Sequence, residues 1–299
     1  MKILLTGANG QLGSDLCVAL ASGHTVIPVT RAGIETRLGA SQTGDVLKPA
    51  QMRDLITHNK PELVLNTTAF NKVDVAEQDA AEALQVNAYA AQQLALLCRE
   101  ADVPLMHIST DFVFDGAKRA PYVESDLPNP LSAYGTSKLA GELLVRATWA
   151  RHYIVRTCGL YGTAGSSGKG GNFVNTMLRL GRESAASAQP KPVRVVDDQI
   201  CTPTATKDLA AQIAVLIETA AYGTYHINNH GSCSWYEFAC KIFELAGLSP
   251  NVQPISSKTF NAPASRPPYS VLENAGLKRL GLDQMRDWQV ALADYLGVA

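Results

Sequence analysis

Tyr134 and Lys138 stand four residues apart, a spacing that places both side chains on one face of a predicted helix. Such a pair can transfer a proton during carbonyl reduction, because hydride addition leaves an alkoxide that needs an acid close by. Tyrosine has a reference pKa of about 10, and one ammonium about 4 Å away supplies about 4 kcal/mol of tyrosinate stabilisation at an effective dielectric near 20. We therefore expect Lys138 to lower the pKa of Tyr134. The alternative is a helix capped by Ser132 with a solvated Lys138.

Two hydroxyl groups precede this pair in the chain. The apolar segment Val103–Ser109 predicts a strand that continues into Thr110 and Asp111. Ligands of an open parallel sheet bind outside the carboxyl ends of its strands, so we expect Ser109 and Thr110 to line one crevice. There Thr110 hydrogen-bonds the developing oxyanion. A strand end closed by an Asx turn at Asp111 is the alternative.

The first thirteen residues combine a short apolar run with glycines at positions 7, 10 and 13. This pattern predicts a strand, a tight turn and the first turn of a helix. In dinucleotide-binding proteins, that arrangement holds the pyrophosphate on the helix N-terminus. Glycines also form turns in proteins that bind no nucleotide, so a structural turn is the alternative.

The second predicted strand, His24–Thr30, ends at Arg31. NAD-binding proteins place an acidic residue there for the ribose 2′-hydroxyl, whereas an arginine suits the 2′-phosphate of NADP. We therefore expect NADPH as the cofactor, and Glu35 nearby keeps NADH possible. A solvated loop arginine is the alternative for Arg31. Asp45, at the third turn, either touches the adenine or caps the loop before Pro49.

Short apolar runs alternate with amphipathic stretches, which predicts an α/β fold with a Rossmann-like doubly wound parallel sheet. Residues 1–157 form the predicted NAD(P)-binding domain. Residues 158–299 form a smaller C-terminal α/β substrate lobe, with segments near 193–228 returning to the Rossmann sheet. The stretch Thr163–Asn172, which holds four glycines, predicts a flexible loop.

Composition narrows the class of partner. The net charge is −1 and the sequence has no basic run, which argues against nucleic acid or an anionic membrane as a partner. The six cysteines form no CxxC pair, so we expect reduced thiols in a cytoplasmic protein without a metal site. No signal peptide or membrane span is predicted, and we expect a monomer or a homodimer.

Seven motifs follow one another in a characteristic order: GANGQLG (7–13), VDVAEQD (73–79), STDFVFDG (109–116), NPLSAYGTSKLAGE (129–142), NFVNTMLRL (172–180), VVDDQICTPT (195–204) and RPPYSVLEN (266–274). Together they resemble the extended short-chain dehydrogenase/reductase family and, within it, the dTDP-4-dehydrorhamnose reductases. The resemblance covers nearly the whole chain. It implies NAD(P)H-dependent reduction of the 4-keto group of a dTDP-linked 4-keto-6-deoxy sugar, dTDP-4-dehydro-L-rhamnose, to dTDP-L-rhamnose.

The resemblance also implies roles for individual residues. The implied catalytic residues are Thr110, Tyr134 and Lys138. Those implied at the cofactor, besides Tyr134 and Lys138, are Gly7, Gly10, Gln11, Leu12, Gly13, Thr68 and Ala69. Those implied at the substrate are Arg266 at the nucleotide end, Asn172, Phe173 and Gln199. Packing is the alternative role for the last three.

The chain departs from this resemblance at a few positions. Phe112 replaces a usual tyrosine, Cys158-Gly159 replaces Ser-Trp, and Cys201 stands where glycine is usual. Two other functions stay open. One is an epimerase or dehydratase of the same superfamily, which retains its cofactor. The other is a non-catalytic NADP-binding regulatory subunit, against which the complete set of catalytic residues argues.

Overall fold

The computed structural model describes residues 1–164, 171–187 and 189–298. Most of the flexible loop predicted at Thr163–Asn172 therefore lies outside the described residues. The strands, in chain order, are β1 (Lys2–Thr6), β2 (Thr25–Thr30), β3 (Glu35–Thr36), β4 (Gly39–Ala40), β5 (Gln42–Thr43), β6 (Leu63–Asn66), β7 (Leu105–Thr110), β8 (His152–Thr157), β9 (Leu160–Tyr161), β10 (Val193–Val196), β11 (Ile200–Cys201), β12 (Thr204–Ala205), β13 (Gly223–His226), β14 (Cys233–Ser234) and β15 (Val252–Ile255).

The helices vary from a single turn to sixteen residues. In chain order they are α1 (Gln11–Ala21), α2 (Pro49–Asn59), α3 (Val73–Ala76), α4 (Ala80–Leu84), α5 (Ala90–Glu100), α6 (Ala133–Thr148), α7 (Phe173–Ala186), α8 (Thr206–Leu216), α9 (Trp235–Leu245), α10 (Ser257–Phe260), α11 (Ala275–Leu280) and α12 (Trp288–Leu296). A 3₁₀ turn covers Asp111–Val113. Within the described ranges, no helix has the length and apolar character needed to cross a membrane.

Seven strands form one parallel sheet in the order β13-β8-β7-β6-β1-β2-β5. The chain moves outward from β1 in one direction through β2 and β5, and in the other through β6, β7 and β8. The strand order therefore reverses beside β1, which makes the carboxyl ends of β1 and β6 the topological switch point. The predicted Rossmann-like fold is confirmed.

Helices cover both faces of this sheet. In β1, Ile3 and Leu5 belong to an apolar cluster with α1 and α8, whereas Leu4 belongs to a cluster with α2 and α5. This alternation follows from the two-residue period of a strand. Because both faces are covered, the central strands read as continuous apolar runs in the sequence.

A further apolar cluster lies in the C-terminal half, between α7, α9, α12 and β10. Of the segments near 193–228, β13 lies in the large sheet beside β8, whereas β10 pairs with β15 outside it. The remaining pairs, β9 with β12, β11 with β14 and β3 with β4, are two-stranded. The division of the chain at 157/158 stays a prediction.

A π-helical turn, Gln85–Tyr89, lies between α4 and α5. Asn87 in this turn accepts a hydrogen bond from the Phe70 backbone amide at 2.9 Å and donates to the Ser137 hydroxyl at 2.9 Å. Asn87 thus ties the loop after β6 to the buried face of α6.

Candidate active site

The glycine turn lies at the switch point, between β1 and α1. Gly7 has a φ of 72°, in the left-handed region that favours glycine. A Cβ on Gly13 would lie 2.1 Å from the Gly7 carbonyl oxygen, so the helix can approach the turn this closely only with glycine there. The spacing of the two glycines therefore reflects a close approach of backbone to backbone.

The start of α1 fits a pyrophosphate. Gly10 is its N-cap, no side chain caps the helix, and the first turn holds no acidic residue. Its first backbone N–H groups and the positive end of the helix dipole are thus left for an anion. Leu12 is buried in the core, so only its backbone can serve a ligand, whereas Gln11 is half-buried.

The other predicted cofactor residues follow neighbouring strands at the same edge. Thr68 lies against Gly7, where a Cβ would stand 3.2 Å from the Thr68 backbone nitrogen, and Ala69 follows it, half-buried. Arg31 is exposed and forms no hydrogen bond or ion pair with any described residue. The Asp45 carboxylate accepts a hydrogen bond from the Leu47 amide at 3.0 Å, the local turn that was the alternative to adenine contact.

Thr110 and Tyr134 meet at the carboxyl end of β7. The Thr110 hydroxyl donates to the Asp111 carboxylate at 2.9 Å and accepts from the Phe112 amide at 3.2 Å, which caps the 3₁₀ turn. The Tyr134 side chain lies close enough to Thr110 for the Thr110 hydroxyl to affect the pKa of the phenol. The strand end is therefore closed by Thr110, not by an Asx turn at Asp111.

The pKa of Tyr134 is raised, whereas the sequence predicts that it is lowered. Burial raises the pKa of Tyr134 above 10, the Asp111 carboxylate raises it further, and the effect of Thr110 opposes both. The expectation of a lowered pKa is therefore wrong for the protein alone, because burial and Asp111 outweigh any stabilisation of the tyrosinate by Lys138. A raised pKa keeps the phenol protonated at neutral pH, which is the form that an acid catalyst needs.

Lys138 is buried, with 1% of its surface exposed, so the alternative of a solvated lysine is excluded. Its ammonium donates to the Ile108 carbonyl at 2.6 Å and lies 3.4 Å from His107 Nε2. Burial lowers the pKa of Lys138 from 10.5 to about 8, and the Glu142 carboxylate opposes this shift. Ser132 does cap α6, by accepting from the Gly135 amide at 3.1 Å.

Ser109 was predicted to share the crevice with Thr110, and the structure corrects this. The Ser109 hydroxyl donates to Glu142, whose carboxylate forms a buried ion pair with Arg156 at 2.6 Å. Ser109 thus points toward Glu142 in the middle of α6, whereas Thr110 lies beside Tyr134 in the first turn of that helix. Ser109 therefore supports the sheet beneath the site.

A cavity extends from Asp111 and Phe112 toward the C-terminal half. Its lining includes both Gln199 and Arg266 from the predicted substrate residues, together with Cys158, Gly159, Cys201, Trp235 and Ser270. Gln199 donates to the Ser257 hydroxyl at 3.0 Å, and the Arg266 guanidinium contacts both carboxylate oxygens of Asp74 at 2.8 and 3.0 Å. The structure thus brings Gln199 and Arg266 to one cavity with Asp111 and Phe112, whereas Thr110, Tyr134 and Lys138 are not among the residues that line it.

Asn172 and Phe173 do not line this cavity. Asn172 caps α7 by accepting from the Asn175 amide at 2.9 Å and donates to the Gly162 carbonyl at 2.8 Å. Phe173 stacks on Phe238 with ring centroids 5.5 Å apart. For both residues the structure supports the packing alternative, because a helix start and an aromatic cluster account for their contacts.

Comparison with known proteins matches residues 1–298 to the family described as RmlD substrate binding domain. The chain belongs to the RmlD family. It is 37% identical over 296 residues to the spore coat polysaccharide biosynthesis protein SpsK of Bacillus subtilis, covering 99% of this chain and 96% of that protein. This relationship confirms the resemblance found in the sequence motifs.

Solved structures agree with this assignment. The dTDP-4-dehydrorhamnose reductase of Clostridium acetobutylicum is 38% identical, with a TM-score of 0.89 and coverage of 100% of this chain and 99% of that one. The same enzyme from Bacillus anthracis, solved in complex with NADP, is 37% identical, with a TM-score of 0.90 and the same coverage.

Within this RmlD family member, the sequence departures gather around the cavity. Phe112 packs edge-on against Tyr134, with ring centroids 5.9 Å apart. Gly159 has a φ of 56°, and a Cβ there would stand 3.2 Å from the Thr202 carbonyl oxygen and from Pro203 Cα. Trp235, from α9, supplies an aromatic side chain to the same cavity.

Sequence reasoning missed the residues that surround Asp111. The Cys158 thiol donates to the Asp111 carboxylate at 3.0 Å, and Ser270 lies 3.8 Å from the Cys158 sulfur. Burial raises the pKa of Asp111 above 3.8, and hydrogen bonds from Ser270, Cys158 and Thr110 oppose this. Cys158 and Ser270 are 112 positions apart, and no local pattern signals such a contact.

Proposed function

We propose that this RmlD family member reduces the 4-keto group of dTDP-4-dehydro-L-rhamnose to give dTDP-L-rhamnose, with NADPH preferred over NADH as hydride donor. The observation that carries the proposal is the contact of Tyr134 with Thr110 at the carboxyl end of β7. This contact lies beside the switch point of the sheet, on an edge that fits a dinucleotide, and it supports the roles of Tyr134 as the acid and of Thr110 as a hydroxyl that orients the substrate. The free thiols of all six cysteines suit a cytoplasmic location.

NADPH, when bound, supplies the hydride. The chain's own part is to hold the sugar, polarise its carbonyl and deliver a proton. Tyr134 keeps its proton at neutral pH and donates it to the C4 oxygen as charge develops there. Thr110 orients that oxygen beside the phenol, and Lys138 stabilises the tyrosinate that remains.

The residues at the switch point fit NADPH. The start of α1 holds the diphosphate through backbone N–H groups. Because Gly7 and Gly13 have no side chains, the turn and the helix lie close together and no Cβ blocks the diphosphate. Arg31 offers an unpaired guanidinium for the 2′-phosphate, to which arginine binds as a planar fork. Arg266, at the far end of the cavity, would hold the nucleotide of the substrate beside its contact with Asp74.

Turnover of a panel of keto sugar nucleotides tests this proposal. With dTDP-4-dehydro-L-rhamnose and NADPH, we expect one cofactor oxidised for each sugar reduced. An epimerase or dehydratase would consume no added cofactor, and a regulatory subunit would bind NADPH without turnover. Either result from a folded protein that binds NADPH would contradict the proposal.

Arg31→Ser should weaken NADPH binding by roughly 10- to 100-fold, because one charge-assisted hydrogen-bond pair contributes about 1.5–3 kcal/mol. NADH binding should change little, since NADH has no 2′-phosphate. Titration calorimetry with both cofactors measures the difference. Arg146→Ser is the matched control, because Arg146 is also exposed but lies near the opposite end of α6 from Tyr134. Equal losses for both cofactors would contradict the role of Arg31.

The pH dependence of kcat should report on Lys138. A lysine is charged below its pKa, which here is about 8, whereas Tyr134 stays protonated because its pKa is raised. We therefore expect kcat at saturating NADPH to be constant near neutral pH and to fall above about pH 8. In Lys138→Arg the guanidinium stays charged at every accessible pH, so this decline should disappear. A decline at the same pH in the variant would assign it to another group.

A further inference from the structure

A chain of buried polar side chains runs across the sheet to Lys138. Thr6 on β1, Asn66 on β6 and His107 on β7 are each at most 3% exposed. The Thr6 hydroxyl donates to Asn66 Oδ1 at 2.7 Å, Asn66 Nδ2 lies 3.2 Å from His107 Nδ1, and His107 Nε2 lies 3.4 Å from Lys138 Nζ. Buried polar groups of this kind are normally satisfied by one another, so their donor and acceptor roles can be worked out.

Asn66 has only one possible orientation. The backbone amide of Thr68 points at the Asn66 side chain at 3.1 Å. A backbone N–H can only donate, so the atom that faces it must be the amide oxygen. The atom that faces His107 is then the amide nitrogen, which donates.

The orientation of Asn66 fixes the proton on His107. Because Nδ1 accepts from Asn66, a neutral ring must carry its proton on Nε2. Burial, and then the charge on Lys138, lower the pKa of His107 well below 6.5, so the ring is neutral at physiological pH. His107 thus presents an N–H group to Lys138, whose ammonium also has only donors.

We propose that His107 is a positioning residue for Lys138: its Nε2–H tautomer, imposed by Asn66, weakens the hold of Lys138 on its proton. The neutral amine accepts from His107 Nε2–H while it donates to the Ile108 carbonyl. The ammonium keeps the Ile108 contact but faces a donor on its other side. The importance of this effect for the reaction rests on the proposed function, whereas the hydrogen-bond chain itself does not.

The other charged or titratable groups near Lys138 do not oppose its positive charge. Glu142, on its own helix, favours the charged lysine, but the Glu142 carboxylate is already paired with Arg156 of β8. Tyr134, also on α6, is uncharged at neutral pH. Asp111 acts on Tyr134. The π-helical turn packed on α6 brings Asn87, which does not titrate. The group on β7 that opposes the ammonium directly is therefore His107.

The tautomer can be measured on the protein alone by long-range ¹H–¹⁵N correlation of its six histidine rings. The spectrum of His107→Phe identifies the His107 signals by their loss. We expect Nε2 protonated and Nδ1 bare near pH 7. Protonation at Nδ1 would overturn the proposal, whatever the enzyme assay shows, so this result is independent of the proposed function.

A second variant, Asn66→Asp, is designed to reverse the tautomer of His107. Asn66→Asp keeps an oxygen toward Thr6 and Thr68 but offers His107 an acceptor, so the ring must carry its proton on Nδ1 and leave Nε2 to accept from the ammonium. In protein with ¹³C-labelled lysine, the titration of Lys138 should move up by about one pH unit or more, equivalent to a tenfold change in proton affinity. Asn66→Asp is also made in a His107→Phe background. In that background the new carboxylate can attract Lys138 directly, but it cannot act through the tautomer of the imidazole ring. An equal shift in both backgrounds would overturn the proposal, and melting curves verify that each variant is folded.

Discussion

Tyr134→Phe is expected to lower kcat by about 100- to 10,000-fold, the range typical of losing a positioned general acid. The phenol is the acid that lies beside Thr110, and the neighbouring Asp111 carboxyl group accepts hydrogen bonds from Thr110 and Cys158. The phenyl ring that remains in this variant would still pack against Phe112, so the fold should be retained. Stopped-flow measurement of NADPH oxidation gives the chemical step directly.

The control for this variant is Tyr89→Phe, which removes a phenol from an exposed position of the π-helical turn. It should leave kcat unchanged. Both variants should still bind NADPH, because the diphosphate and the 2′-phosphate are held by other residues. A Tyr134→Phe enzyme with more than about one tenth of the parent kcat would remove Tyr134 from the role of acid.

Gly13→Ala should remove NADPH binding almost completely and lower the free energy of unfolding by about 1–3 kcal/mol, as overpacking of a close contact does. The added Cβ would stand 2.1 Å from the Gly7 carbonyl oxygen and 2.9 Å from Ala8 Cα. Both are backbone atoms of the turn, so α1 must move away from β1 to make room. Its N-terminal N–H groups would then leave the diphosphate position.

Gly23→Ala is the matched control for this prediction. An added Cβ at Gly23 meets nothing within 4 Å, so stability should change by no more than about 0.5 kcal/mol, as for most surface substitutions. Denaturant unfolding and calorimetric titration with NADPH measure the two effects. Normal NADPH affinity in Gly13→Ala would show that the close approach of turn and helix serves the fold only.

The sequence was sufficient to predict the elements that position the site. The three-residue spacing of Gly7, Gly10 and Gly13 predicts a strand, turn and helix because only glycine permits this geometry. The four-residue spacing of Tyr134 and Lys138 places them on one helix face for the same kind of local reason. Features that depend on φ, ψ and helical period can thus be read from neighbouring residues.

The directions and partners of side chains were harder to predict. Ser109 and Thr110 look equivalent in sequence, yet the strand turns the first toward Glu142 and the second toward Tyr134. Arg266 pairs with Asp74, which lies 192 positions earlier, and this pairing depends on how distant segments pack. The acidity of Tyr134 was predicted in the wrong direction because burial and Asp111 outweigh any effect of Lys138 in the protein alone.

The most direct test of the proposed reduction follows the hydride itself. NADPH deuterated at the position of transfer is incubated with dTDP-4-dehydro-L-rhamnose, and the sugar product is analysed by mass spectrometry and NMR. We predict one deuterium at C4 of each product molecule, with the rate of transfer lowered by about 100- to 10,000-fold in Tyr134→Phe. A product without deuterium at C4, formed while the added NADPH remains unoxidised, would contradict reduction and indicate a reaction that regenerates its cofactor.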